Sequence, residues 1–474
     1  MKTNKPIVEA LRAFVTKVPY SLHVPGHKNG LLSALPNEIK QALKYDVTEL
    51  TGLDDFHHPE EAIQEAQLLL AEAYGSEYSY FLVNGSTVGN LAMIYATVKK
   101  DEQVIVQRNA HKSIFHALQL VGAVPIFVSP EWHQMSQTAA CVSFEKLKDA
   151  VDSYPDAKAI VLTYPTYYGI TARDIERQIQ YCHERNIPVL VDEAHGAHFA
   201  ASRLFPTSAL AYGADVVVQS AHKTLPAMTM ASFLHVNSKL VNVEKVNMYL
   251  RMLQSSSPSY LLMASLDEAR HYVQTYRESD ATYLLEKRAQ WIDALKAIGM
   301  IEIVEVDDPL KLLMRVKDYT GFQLQKVLEE QNVYVELADA FQVLIILPLL
   351  KHGQVYSFAD LRICIKEAIT KLMNEEKKVN KENDIIYPIA TYTKSEISYA
   401  ELETSDKEWL PYMRTIGKVA ASMLIPYPPG IPLLIPGEKI TVAKLSQLEE
   451  LIAVGTVFQG NHRLTEKMIE VIKE

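Results

Sequence analysis

PVLVDEAHGAH at 188–198 and DVVVQSAHK at 215–223 are the two stretches from which the fold can be read. Each is a short apolar run, rich in valine, that ends abruptly in charged and imidazole side chains. A run that is apolar throughout, rather than alternating, predicts a strand covered on both faces, as in a parallel sheet. Ligands of such sheets bind beyond the carboxyl ends of the strands. Asp192, His195, Ser220, His222 and Lys223 all stand just past such ends.

Outward from these stretches the alternation continues. Strands are predicted at 80–83, 103–107, 124–128, 158–163, 188–191, 216–219 and 229–236, with helices at 86–98, 111–121 and 172–185 between them. PEEAIQEAQLLLAEAYG (59–75) reads as a preceding helix, with Pro59 in its first turn and Gly75 as its C-terminal cap. Strands alternating with amphipathic helices define an α/β fold with a mostly parallel sheet. After about residue 290 the pattern changes: LLMRV (312–316) and FQVLIIL (341–347) read as strands, flanked by helices at 321–330 and 359–373. The expected organisation is an irregular N-terminal arm (1–58), a large domain (59–290), a small α/β domain (291–373), a polar linker NEEKKVNKEND (374–384) and a C-terminal unit (385–474).

The chain has 474 residues, nearly half of them apolar, so a sizeable core can form. A net charge of -10 argues against a general nucleic-acid binder. Three scattered cysteines, Cys141, Cys182 and Cys364, fit a reducing compartment better than a disulfide framework. No signal peptide or membrane-spanning run is apparent, so a cytoplasmic protein is expected.

Five clusters at strand ends carry possible chemistry. Lys223 in SAHK is placed to be a buried amine able to form an imine with an aldehyde; taken alone it reads more readily as a surface lysine. Asp192 ends an apolar strand, and a buried carboxylate there needs a cationic partner such as a protonated pyridine nitrogen. The bland reading is a capping Asp with a hydrogen-bonded His195. His195 and His198 as metal ligands lack an obvious third, and no metal is expected. NGSTVGN (84–90) offers Ser86, Thr87 and a helix N-terminus as a phosphate cradle, or is an ordinary loop. His111 in RNAHKS (108–113) is suited to lie against an aromatic ring, or to cap a helix. Thr166 in TYPTYYG (163–169) is within reach of a cofactor oxygen, or belongs to a proline turn. What joins these clusters is their order, each following a strand, with 31 residues from Asp192 to Lys223.

With PGHKNG (25–30), DVTELTGLDD (46–55) and PYPPGIPLLIPGE (426–438) added, the sequence resembles the ornithine/lysine/arginine decarboxylases of fold type I, the aspartate-aminotransferase-like pyridoxal-phosphate fold, in the short form of Gram-positive bacteria. Asn29 replaces the glycine more usual in that motif. The resemblance implies pyridoxal 5'-phosphate held on Lys223, with Asp192 at the ring nitrogen, His111 stacked on the ring and His195 near the phenolic oxygen. Ser86, Thr87, Ser220 and His222 would surround the phosphate, with Thr166 among the cofactor contacts, and Lys223 or His222 would return the proton to the α-carbon. It implies a cytoplasmic homodimer with shared active sites, the arm and SSSPSY (255–260) lining them, and a role in polyamine biosynthesis. Glu49, Asp54, Asp55 and Glu438 are candidates for the substrate's distal cation. Arginine, lysine and ornithine all fit, and the short form favours arginine, giving agmatine and carbon dioxide. The alternatives are transamination, for which Arg315 would clamp the substrate carboxylate, and a cofactor-binding paralogue without catalysis.

Overall fold

The apolar runs form strands, as their composition requires. In the computed structural model, which describes residues 4–377, 390–427, 431–453 and 456–473, the chain divides into two compact units. One holds the residues up to Thr97 together with Pro188–Glu278; the other holds Val98–Ile187 and the residues from Ser279 onward. Both are α/β, and the large-sheet pairings within them are mostly parallel at the centre.

In the first unit, strands Tyr78–Leu82, Ser232–Val236, Val216–Gln219 and Val189–Asp192 lie side by side in that order. The last two are parallel, with Asp192 opposite Val218, so the segments that follow them leave the sheet at the same end. Every residue of Val189–Asp192 and Val216–Gln219 is buried. Helix Gly85–Thr97 follows the first strand closely, and Gly85, at φ +81°, makes the sharp entry that a side chain would oppose. Gly89 lets this helix approach the sheet: a Cβ there would stand 2.7 Å from Leu82 Cδ1 and 2.9 Å from Val218 Cγ1.

In the second unit, strands Ile160–Thr163, Gln103–Gln107, Val124–Val128 and Tyr392–Lys394 are neighbours in that order, the first three parallel and the last antiparallel. A separate antiparallel sheet runs Ile301–Glu305, Lys311–Val316, Val343–Ile346, Leu337–Ala338, with helices Gly321–Glu329 and Phe358–Leu372 packed together beside it. A further apolar cluster around Leu424, Leu434, Ile440 and Leu448 forms the core of the C-terminal segment.

Several expectations are corrected. The arm is not irregular throughout: Pro6–Thr16 and Asn37–Ala42 are helical. Ile7 and Leu11, one turn apart, are buried on the face that meets helices Ala62–Tyr74 and Tyr260–Gln274. The helix expected from Pro59 starts at Ala62, because Asp54 caps it from upstream; Gly75 does close it, at φ +69°. Strand 229–236 begins only at Ser232, since Met230 takes φ +78°. Helix 172–185 contracts to Ile175–His183. Helices Val243–Leu253, Tyr260–Gln274 and Glu278–Lys296 were not anticipated. Of the polar linker at 374–384, the part from 378 on lies outside the described residues, as do 428–430 of PYPPGIPLLIPGE.

Candidate active site

In the first unit the two strand ends are drawn together by side chains. Lys223 Nζ lies 2.9 Å from His195 Nε2, and the Ser220 amide donates to the Ala194 carbonyl at 3.3 Å. Asp192 is 2 % exposed; its carboxylate accepts from Asn90 Nδ2 at 2.9 Å and from the Ala194 amide at 3.2 Å. Both partners are neutral donors, so the charge is solvated but not neutralised. Asn90 belongs to NGSTVGN and was not singled out from the sequence; the signal was its place about a turn and a half into a helix whose face meets the sheet.

Ser220 Oγ donates to Ser86 Oγ at 2.9 Å, so two hydroxyls meet at the start of helix Gly85–Thr97. Thr87, the next residue, is exposed. His222 Nδ1 lies 3.1 Å from the Ala231 carbonyl, which can only accept; Nδ1 therefore carries a proton. The segment after Gln254 is tied to the same helix start. Gln254 Oε1 accepts from the Val83 amide at 2.9 Å, and Asn84 Oδ1 from the Ser255 amide at 3.1 Å. His57 Nε2 lies 2.8 Å from the Ser255 carbonyl, so part of the arm joins SSSPSY.

The acidic candidates separate. Both Asp54 oxygens accept backbone amides of Glu60, Glu61 and Ile63 at 2.9 Å, which commits this side chain to a helix start rather than to a substrate cation. Glu49 and Asp55 remain exposed. The phenol of nearby Tyr260 is raised, chiefly by its own burial and then by the charges of Glu49, Asp54 and Asp55.

In the second unit, His111 caps helix Lys112–Val121: its Nδ1 accepts the Ser113 amide at 3.3 Å, and the residue is exposed. Thr166 Oγ1 accepts the Ile170 amide at 3.1 Å within the turn 164–170, so its hydroxyl shapes that turn. The fourth acidic candidate, Glu438, is corrected here. Its carboxylate is 1 % exposed and receives Arg108 on both oxygens, at 2.5 and 2.7 Å, with Lys444 Nζ at 2.8 Å. Burial alone would raise this carboxyl; Arg108 and Lys444 outweigh it and hold it at about 2. A carboxylate so fully paired has no charge left for a substrate cation. Arg108, in RNAHKS, is a residue the sequence reading passed over. Arg315, weighed as a carboxylate clamp, bonds Gln342 Oε1 through Nε and Nη2 at 2.9 and 2.7 Å and the Met135 carbonyl at 2.9 Å.

Among the described residues no cluster of metal-ligating side chains is found, and no helix is long and apolar enough to cross a membrane. An amine and a buried carboxylate lacking any cation among its bonded partners, at neighbouring parallel strand ends, with hydroxyls at a helix start, fit pyridoxal phosphate: an aldehyde, a basic ring nitrogen and a phosphate. The fold and side chains are those of the fold-type-I class.

Residues 5–312 match the major domain of Orn/Lys/Arg decarboxylase, and residues 381–461 its C-terminal domain. The chain is 44 % identical to the uncharacterized protein YaaO of Bacillus subtilis, over 99 % of both chains. It is 34 % identical to an arginine decarboxylase of Halalkalibacterium halodurans, over 99 % of this chain and 98 % of that one. The constitutive lysine decarboxylase of Escherichia coli shares the fold, at TM-score 0.79 and 19 % identity over 99 % of this chain and 82 % of that one. The chain belongs to the Orn/Lys/Arg decarboxylase family. Its chemistry is the pyridoxal-phosphate-dependent decarboxylation of a basic amino acid.

Proposed function

We propose that this enzyme decarboxylates arginine, releasing agmatine and carbon dioxide, with its cofactor on Lys223. The observation that carries the reading is the close approach of Lys223 Nζ to His195 Nε2, on the loop that Asp192 begins. Arginine is favoured by full-length similarity to several proteins named arginine decarboxylase.

When bound, pyridoxal phosphate supplies an electron sink for the pair left as carbon dioxide departs. Lys223 would provide the amine that holds it, and its ε-amine would be freed when the substrate amine takes its place. Asp192, fixed by Asn90, keeps the ring nitrogen protonated. His195 serves the phenolic oxygen, and Ser86, Thr87, Ser220 and His222 the phosphate. The resemblance also names His111, whose ring is exposed, and Thr166 as cofactor contacts. Lys223 or His222 returns a proton to the α-carbon. Glu49 and Asp55 are the carboxylates available to a distal guanidinium.

The same reading includes a cytoplasmic homodimer with shared sites, serving polyamine biosynthesis. The homodimer in this reading is supported by a run of exposed apolar side chains in the arm, among them Tyr20 and Leu22 at 98 % and Leu31 at 77 % exposure, which a second copy would cover. Separate family matches support a large cofactor-binding domain ahead of a distinct C-terminal one.

The test is an amine-product assay over arginine, lysine and ornithine, with borohydride labelling. Arginine should give the highest kcat/KM, and peptide mapping should find the reduced cofactor on Lys223. A label on another lysine would remove the basis of the reading.

A further inference from the structure

Behind Asp192 lies a buried polar chain that the chemistry so far leaves unused. We propose that Glu193 is a positioning residue for the reaction, holding the Asp192 loop and the Lys223 loop in register from the side of the sheet away from Asp192. The inference rests on the cofactor reading above.

Glu193 follows the last residue of the strand, but its amide still donates to the Val218 carbonyl at 2.8 Å and carries the pairing one residue further, so its side chain leaves on the face opposite to that of Asp192. Its side chain is completely buried. Oε1 accepts from Ser208 Oγ and from Gln219 Nε2, both at 2.7 Å, and Oε2 accepts from the Ala209 amide at 2.7 Å. Gln219 is the last residue of its strand, and Ser220 and Lys223 follow it. One carboxylate thus binds the start of one active-site loop to the start of the other.

The loop is built around this side chain. A Cβ on Gly196 would stand 2.7 Å from Glu193 Cγ and 3.0 Å from the Phe199 ring, so only glycine fits there. The chain of contacts continues inward: Gln219 Oε1 lies 3.3 Å from His235 Nε2, and His235 Nδ1 lies 2.7 Å from Ser79 Oγ. Tyr74 stacks on His235 at 4.6 Å and donates its hydroxyl to the Ala197 carbonyl at 2.8 Å, returning to the same loop.

Three donors and no acceptor surround Glu193, a pattern that only a carboxylate satisfies. A glutamine would place its own NH₂ against a donor. Yet none of its bonded partners is a cation, and a buried charge without one is costly. Burial pushes the Glu193 carboxyl up to about 7, against the downward pull of Ser208, Ala209 and Gln219. The titratable groups around the chain are Asp192 beside it, Tyr74 from helix Ala62–Tyr74 and His235 from strand Ser232–Val236; burial holds His235 down at about 3 and so neutral. A buried carboxyl whose charge is this costly, yet which is given three donors and no acceptor, points to geometry that the site needs.

The test uses the holoenzyme. Glu193→Gln should still be labelled on Lys223 by borohydride. Its KM should change by less than about three-fold, while kcat falls about ten-fold or more, because small displacements of reacting groups are costly. The pH at which the bound cofactor's visible absorbance changes should shift. Adding Gln219→Glu restores a complementary donor–acceptor pair and should recover part of both. A Glu193→Gln enzyme with the wild-type kcat and absorbance titration overturns the proposal. So does a kcat loss with an unmoved titration that Gln219→Glu fails to recover, which marks a merely structural role. Where Glu193→Gln does not fold, Ser208→Ala removes a single donor; a shifted titration supports the proposal and an unmoved one overturns it. Wild-type enzyme that is not labelled on Lys223 strikes the cofactor reading itself, a result separate from those above.

Discussion

The Asn90 side-chain amide donates to the Asp192 carboxylate at 2.9 Å, with both groups buried between helix and strand. The helix thereby sets the direction in which the carboxylate's remaining lone pairs point. Asp192→Ala is expected to lower kcat at least about 10²-fold, as losing a preorganised charge does, while cofactor retention falls less. Asn90→Ala leaves the charge in place but short of one bond, a loss of about 1–3 kcal/mol, and should reduce kcat about ten-fold. Steady-state kinetics with cofactor content measured on the same samples checks both; an Asp192→Ala enzyme with full turnover would refute the role.

Arg108 and Glu438 meet through two parallel hydrogen bonds inside the second unit, and the guanidinium also donates to the carbonyls of Pro432 and Leu433 at 2.9 and 3.1 Å. Removing one partner of such a pair strands the other charge. Arg108→Ala should destabilise the protein by about 3–5 kcal/mol, and the double change Arg108→Met with Glu438→Leu by distinctly less. Denaturant midpoints of the three proteins decide the matter; equal losses in the single and double variants would contradict it.

Two buried carboxylates should pull stability in opposite directions with pH. Glu193, raised from 4.5 to about 7 by burial, binds its proton more tightly when folded. Its contribution is therefore full below pH 4.5 and lost as pH rises through about 7. Glu438 sits at about 2, because its cations outweigh burial, so its contribution is present above pH 4.5 and lost as pH falls through about 2. Unfolding of the apoprotein followed against pH should lose the first slope in Glu193→Gln and the second in Glu438→Gln. The same slopes persisting in the variants would show that other groups cause them.

Gly89→Ala tests how closely helix Gly85–Thr97 must sit on the sheet. The added methyl would meet Leu82 and Val218 at under 3 Å, and overpacking of this kind costs about 1–3 kcal/mol. Because Asn90 is the next residue, kcat should fall along with stability. A thermal midpoint and kcat equal to wild type would show that the neighbours give way freely.

Glu49 and Asp55 are predicted to act on substrate affinity. Glu49→Gln and Asp55→Asn should raise KM for arginine about ten-fold or less with kcat within about two-fold, the mark of uniform binding. Asp54→Asn, by contrast, should show its effect in stability, by about 1–3 kcal/mol, because its amide group would face backbone donors. A KM effect confined to Asp54→Asn would reverse the assignment.

Much of the fold is legible because its central strands have apolar middles and stop at a polar residue, a proline or a loop. Gln103–Gln107, Val124–Val128 and Val216–Gln219 begin and end where composition changes. The family was legible in clustered motifs such as DEAHGAH and SAHKTL, which keep their chemistry within a few residues of a strand end. What the sequence hides is pairing across distance. Nothing near Glu438 announces that its partner stands 330 residues earlier, at Arg108. Asp54 looks like a binding carboxylate because its role depends on a helix that starts at Ala62, beyond an intervening proline. Helix Glu278–Lys296 escaped notice although its buried residues share one face, because the charged Asp280 and Arg288 stand on that face among Ala281, Leu284, Trp291 and Leu295 and interrupt the apolar pattern.

The position of Asp54 has a practical corollary. Helix Ala62–Tyr74 takes its cap from a residue eight places upstream, and Tyr260 anchors that residue by donating to its carbonyl at 2.5 Å. The segment before the helix is thus part of the folding unit, and it cannot be treated as a removable leader. A shortened protein that starts at Pro59, where the sequence pattern invites the cut, would begin with a frayed helix and the amides of Glu60, Glu61 and Ile63 without their carboxylate. One that starts ahead of Asp54 keeps the stopper in place.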